Sequence, residues 1–150
     1  MNFKYYINLD ERGEFFADVR NSNDETIFEI HDFEIFEDGF REIELTNSGE
    51  NNFLFRGMPK NILVYESHGD ILKRFPIGVE VLAMRGGSIE AYSVENFCGV
   101  QFHPEITWEI AKKMAERDEN NIDEIMNNLG KSYDFPNKII SNFISSLNRN

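Results

Sequence analysis

The groups in this 150-residue chain that can move protons or attack carbon are three histidines, one cysteine and a scatter of carboxylates and hydroxyls. His103 lies in the run GVQFHPE, residues 99–105, at the end of an apolar segment. An extended backbone through Pro104 sends side chains 103 and 105 to the same side. Glu105 is then placed to accept the Nδ1 proton of His103, fix its tautomer and stabilise the imidazolium. That is the base-and-orienter half of a nucleophilic triad, although a bare His/Glu pair is also an ordinary structural hydrogen bond. The second pointed context is Ser67-His68-Gly69-Asp70, at a strand end where loop residues commonly meet ligands.

A triad also needs a nucleophile. Cys98 stands five residues before His103 on the same expected strand, so the two side chains face opposite sides and lie roughly 16 Å apart at about 3.3 Å per residue. Hydrogen-bond reach is near ~3 Å. Cys98 is therefore expected to be a small apolar filler and not a nucleophile. Ser67 is the nearest alternative by type, but nothing places it on a strained elbow. His68, Asp70, His103 and Glu105 are also metal-ligand types. No helical ligand spacing supports a site, so hydrogen-bonded loop residues are expected, with no metal and no cofactor. His31, in EIHDF, is expected at the surface or a sheet edge. Gly86-Gly87 reads as a turn and not a phosphate loop, because no helix pattern follows.

These residues need elements to hold them. The first third reads as a strand meander. Residues 3–9 alternate Phe3, Tyr5, Ile7 and Leu9 on one face, residues 14–20 turn Phe15, Ala17 and Val19 inward, and residues 26–30 give a third strand. The Phe-rich faces are expected to be core. Residues 32–40 mix aromatics and acids with no clean period. Then 41–45 reads as a strand and 53–59 as a short helical turn closed by Gly57 and Pro59. Four short apolar strands follow at 62–67, 79–84, 88–94 and 97–102, separated at Gly69, 76–78, Gly86-Gly87 and Glu95-Asn96. After Pro104 the period becomes helical. Thr107 is the expected N-cap of a helix with Ile110, Ala111, Met114 and Ala115 on one stripe. Ile122, Ile125, Met126 and Leu129 form a second stripe before Gly130. Pro136 opens a third helix carrying Ile139, Ile140, Phe143, Ile144 and Leu147. Strands first and helices last predict an α+β fold built on an antiparallel or mixed sheet.

Composition narrows the function. The chain is 41% hydrophobic with 14 Phe, ample for a core. Its single cysteine excludes an internal disulfide framework and a Cys-based zinc cluster. The opening MNFKYYINLDERGEFF has no apolar leader region, and no stretch approaches the roughly 20 apolar residues of a spanning helix. A soluble, cytoplasmic protein is expected. The formal net charge is −12. Residues 1–50 hold 14 acidic and 4 basic side chains, a net of −10. Such a surface repels phosphate backbones and anionic membranes, so neither nucleic acid nor membrane is an expected partner. The charge step falls near residues 38–45. It divides an acidic β-meander, 1–40, from a near-neutral remainder, 41–150.

Residues 55–107, FRGMPKNILVYESHGDILKRFPIGVEVLAMRGGSIEAYSVENFCGVQFHPEIT, resemble the C-terminal half of class I glutamine amidotransferase domains. The closing KIISNFISSL extends the likeness, which spans roughly residues 41 to 148. In that family a strand ending in His-Pro-Glu supplies two members of a Cys-His-Glu triad that hydrolyses glutamine to release ammonia. The resemblance thus implies catalytic roles for His103 and Glu105. It implies backbone contacts to the glutamine substrate from Ser67, His68, Gly69 and Asp70. The family's nucleophile sits on a Gly-x-Cys-x-Gly elbow in a preceding parallel half-domain, and this sequence contains neither; the acidic meander stands in that place.

Three functions stay open at this point. The chain is a glutaminase component whose Cys nucleophile comes from another chain, a non-catalytic binding or regulatory scaffold that keeps the pocket for glutamine or a related small molecule or merely the fold, or a truncated or rearranged gene product. Half a domain leaves apolar surface uncovered, so a homodimer or a partner protein chain is expected.

Overall fold

A computed structural model describes residues 4–9, 11–12, 15–75, 77–95, 97–118 and 135–147. Seven strands form one sheet: β1 Lys4–Leu9, β2 Phe15–Arg20, β3 Thr26–Leu45, β4 Asn61–Arg74, β5 Glu80–Arg85, β6 Ser88–Val94 and β7 Phe97–Val100. Their order is β1-β2-β3-β5-β6-β7, with β4 also paired to β3, and every pairing among the described residues is antiparallel. The helices are α1 Asn47–Asn51, α2 Trp108–Asp118 and α3 Phe135–Leu147, with a 3-10 turn at Phe53–Phe55. The architecture is α+β, as expected. The second helical stripe, Ile122 to Leu129, lies outside the described residues.

The segment without a clean period is the middle of the longest strand. β3 runs through residues 38–45 unbroken and pairs with β4 from Glu29↔Arg74 to Glu44↔Asn61. Across residues 32–40 the strand pairs, among the described residues, with β4 alone, with a wide irregularity where the register jumps from Asp32↔Asp70 to Glu37↔His68, which breaks the alternation a regular strand would show. His31 is not at a sheet edge, since it pairs with both Phe16 and Ile71. The expected β1 core face is also overturned. Ile7 and Leu9 are 71% and 59% exposed, because β1 is the outermost strand and no layer among the described residues covers its face. On β2 both Asp18 and Val19 are buried, and Arg20 holds Asp18 through Nε at 2.8 Å and Nη2 at 2.6 Å.

Alternation along β4 builds a core on each sheet face. Ile62 and Val64 join Ile43, Leu45, Phe55, Leu82, Ala91, Phe102 and Ile139. Leu63 and Tyr65 join Phe40, Ala111, Ala115 and Trp108 on the other side, where Trp108 stacks on Phe40 at 5.0 Å. Thr107 Oγ1 accepts weakly from Ile110 N at 3.4 Å, but Ile110 itself is 41% exposed. The buried stripe of α2 narrows to the two alanines, which let the helix sit close to Tyr65. Of the five apolar residues expected to carry α3, only Ile139 is buried; Ile140, Phe143, Ile144 and Leu147 face outward. Polar contacts hold this helix instead. Asn142 Nδ2 donates to the Leu54 and Arg56 carbonyls at 3.0 and 3.2 Å, and Lys138 Nζ donates to the Gly57 carbonyl.

The short helix α1, which no apolar period in the sequence announces, is fixed by its cap. Thr46 Oγ1 accepts from Gly49 N at 3.0 Å and donates to the Val81 carbonyl at 2.6 Å. Gly49 packs so tightly that a Cβ there would stand 1.9 Å from the Leu82 carbonyl oxygen. No helix among the described residues is long and apolar enough to cross a membrane.

Candidate active site

β4 and the segment after β7 bring the two pointed motifs together. His103 N donates to the Tyr65 carbonyl at 2.8 Å, which lays the His-Pro-Glu segment against β4. The spacing predicts that Glu105 reaches His103, and the ring Nδ1 does donate to Glu105 Oε1 at 2.7 Å. The other ring nitrogen, Nε2, stands 3.3 Å from the Ser67 carbonyl oxygen. Partial burial pulls the Glu105 carboxyl upward. The hydrogen bond from His103, a backbone hydrogen bond and the charge of the imidazole outweigh it, so the carboxyl sits below its ordinary value. The pair can therefore orient a ring and support positive charge on it, which is what a general base needs from its partner.

The Ser-His-Gly-Asp segment is not a loop. All four residues lie within β4, with Ser67 paired to Asp38, His68 to Glu37 and Asp70 to Asp32. β3 extends the ladder past the expected strand end, and the register jump falls opposite Gly69. Alternation splits the segment between faces. Ser67 shares the Tyr65 face, on the His103 side, while His68 joins Glu66 on the other, its Nε2 3.2 Å from Glu66 Oε2. His68 and His103 therefore do not share a site, nor do Asp70 and Glu105 join them in a four-residue metal cluster. The Ser67 group that meets the His103 ring is its backbone carbonyl.

Cys98 lies on β7 opposite Ser93 and packs against the core cluster of Ile43, Val64 and Leu82. Burial pushes its thiol up from the ordinary value. A nucleophilic thiol needs the reverse. Missed by sequence reasoning were Glu66 and Glu90, both fully buried beside His68. The signal was there: Glu66-x-His68 has strand spacing, which places both on one face.

A sequence profile described as Glutamine amidotransferase class-I matches residues 20–120, two thirds of the chain. The chain belongs to the class I glutamine amidotransferase family. Among relatives, a glutamine-hydrolyzing GMP synthase subunit from Thermococcus kodakarensis is 42% identical over 60 residues, covering 38% of this chain and 32% of the relative. The protein of the same name from Pyrococcus abyssi is 41% identical over 68 residues, 43% of this chain and 35% of the relative. A solved glutamine amidotransferase from Thermotoga maritima superposes with a TM-score of 0.61 at 16% identity, over 81% of this chain and 55% of that one. One from Methylobacillus flagellatus gives 0.62 at 11% identity, over 79% and 55%. This amidotransferase-family chain thus spans about a third of those curated relatives and about half of the solved domains, whose fold it shares.

Proposed function

We propose that this chain supplies the histidine–carboxylate half of a class I glutaminase site and that alone it does not hydrolyse glutamine. The observation that carries the reading is the 2.7 Å contact between His103 Nδ1 and Glu105, held against the Ser67 backbone. In the proposed reaction His103 takes the proton of a cysteine thiol through Nε2 while Glu105 steadies the ring. The backbone of Ser67, His68, Gly69 and Asp70 holds the glutamine. The thiol comes from a Gly-x-Cys-x-Gly half-domain outside these 150 residues, because Cys98 is turned into the core with a raised pKa. The two archaeal relatives are each named as one subunit of a GMP synthase, which supports an acceptor chemistry housed on another chain. The free thiol of Cys98 fits a cytoplasmic setting. The acidic residues 1–40 are proposed as a segment distinguished by charge, joined to the rest through β3, with residues 20–40 inside the family match.

A second reading has its own observation. Nε2, the atom a base would use, faces a carbonyl oxygen, as in a ring serving a binding scaffold. One experiment separates the two. Purified chain should release no ammonia from glutamine. Addition of a half-domain bearing the Gly-x-Cys-x-Gly elbow should restore release, and His103→Ala should abolish it. Ammonia from the chain alone would overturn the proposal. Failure of the complemented pair, with glutamine still shifting the resonances of Ser67–Asp70, would favour the scaffold.

A further inference from the structure

On the sheet face opposite His103, two carboxylates and an imidazole meet inside the protein. Glu66 is 0% and Glu90 1% exposed, and His68 stands near both, on the same strand as Glu66. One ligand atom from each of the three falls within 4.8 Å of the other two. These positions continue the row of Ile62 and Val64, so charge here is costly unless cations balance it. Arg85 supplies one cation, its Nε 3.5 Å from Glu90 Oε1.

The orientation of His68 is fixed by the backbone. Its Nδ1 lies 3.0 Å from the Asp70 carbonyl oxygen. A carbonyl only accepts, so Nδ1 carries the proton, and in the neutral ring the Nε2 lone pair is aimed at Glu66, 3.2 Å away. Gln101 Nε2 donates to the same carbonyl at 3.2 Å and steadies it. A ring whose Nδ1–H is tied to a backbone carbonyl while Nε2 faces carboxylates is the arrangement of a metal-ligating histidine. Donors sitting about 2.1 Å from a shared tetrahedral ion are about 3.4 Å apart, close to the His68–Glu66 separation. A cavity of about 260 Å³, lined by His68, Ile71, Phe75, Arg85, Glu90 and Gln101, gives an ion a path and room for water.

We propose that His68 Nε2, Glu66 and Glu90 form a binding site for a divalent transition-metal ion such as Zn²⁺, with water from the cavity completing its coordination. The site does not depend on the glutaminase reading. Bound metal ties β4 to β6 beside the strand segment whose Ser67 carbonyl faces His103. Arg85 competes for Glu90 and weakens the site.

The test uses the intact chain, stripped with chelator and titrated with Zn²⁺ by calorimetry and with Co²⁺ by visible absorption. One ion per chain is expected. Glu66→Gln and Glu90→Gln, which keep shape and remove charge, should each weaken binding by about tenfold or more, and Arg85→Gln should tighten it. Should the Gln variants fail to fold, ¹⁵N-histidine spectra of the wild-type chain serve instead: Zn²⁺ should shift Nε2 of His68 and leave its Nδ1–H in place. Absence of stoichiometric binding, equal binding by the Gln variants, or an unmoved His68 Nε2 would overturn the proposal and leave a charge-balanced ionic cluster of His68, Glu66, Glu90 and Arg85.

Discussion

At the scale of single residues, the behaviour of Glu105 is set by a contest that can be measured. Burial raises its carboxyl, whereas the His103 hydrogen bond and charge lower it and prevail. The folded value is below the ordinary 4.5, so the contact contributes stability above that pH and loses it as pH falls through the depressed folded value. The carboxylate is 61% exposed, which keeps the contribution within about 0.2–1 kcal/mol. In His103→Ala only the raising influence of burial survives alongside the backbone hydrogen bond, so the Glu105 titration midpoint should move upward in ¹³C-detected NMR. An unchanged midpoint would mean that the contact does not exist in solution. Cys98→Ser is expected to leave any glutamine hydrolysis by a complemented complex intact, since the thiol packs into the core. Loss of that activity with folding unchanged would return Cys98 to the site.

At the scale of elements, α1 is the sharpest test of how tightly β5 is held. Gly49→Ala must push the helix off the Leu82 carbonyl, a clash with backbone that no side-chain rotation relieves. A cost of about 2–3 kcal/mol is expected from overpacking, read as a lower urea midpoint. Thr46→Val removes both the cap and the donor to the Val81 carbonyl and should cost about 1–2 kcal/mol, with Thr46→Ser recovering most of it. A midpoint unmoved by Gly49→Ala would show that α1 does not pack against β5. The elements also mark what the sequence could reveal. The His103–Glu105 contact follows from two-residue spacing alone, and the hairpin β5–β6 from its apolar runs and the Gly86-Gly87 turn. Strand length was hidden because pairing partners decide it: β3 and β4 carry each other past polar residues, through 32–40 and through Ser67–Asp70, where no local pattern calls for a strand. Burial of Glu66 and Glu90 was hidden for a related reason. Alternation puts them on the inward face, but the neighbours they meet there, His68 on β4 and Arg85 on β5, are set by the tertiary fold and not by local sequence.

At the scale of the whole molecule, an apolar surface and an acidic one make opposing demands. Ile140, Phe143, Ile144 and Leu147 expose 37%, 44%, 53% and 62% of their area along one helix, a large apolar face for a chain in water. Residues 1–50 meanwhile carry 14 acidic against 4 basic side chains, so two copies repel one another through their meanders. Hydrophobic burial acts only at contact, whereas the repulsion reaches about one Debye length, near 10 Å at 0.1 M salt. Self-association through α3 should therefore strengthen as salt rises, the reverse of an interface built on ion pairs. Sedimentation across a salt series should show the dimer fraction growing with ionic strength, and Ile144→Glu with Leu147→Glu should hold the chain monomeric throughout. Dimers that dissolve in salt, or that survive both substitutions, would move the interface away from α3. A chain that stays monomeric at every salt concentration would leave that face to a different partner, and the elbow-bearing half-domain of the complementation experiment should then protect α3 amides from hydrogen exchange.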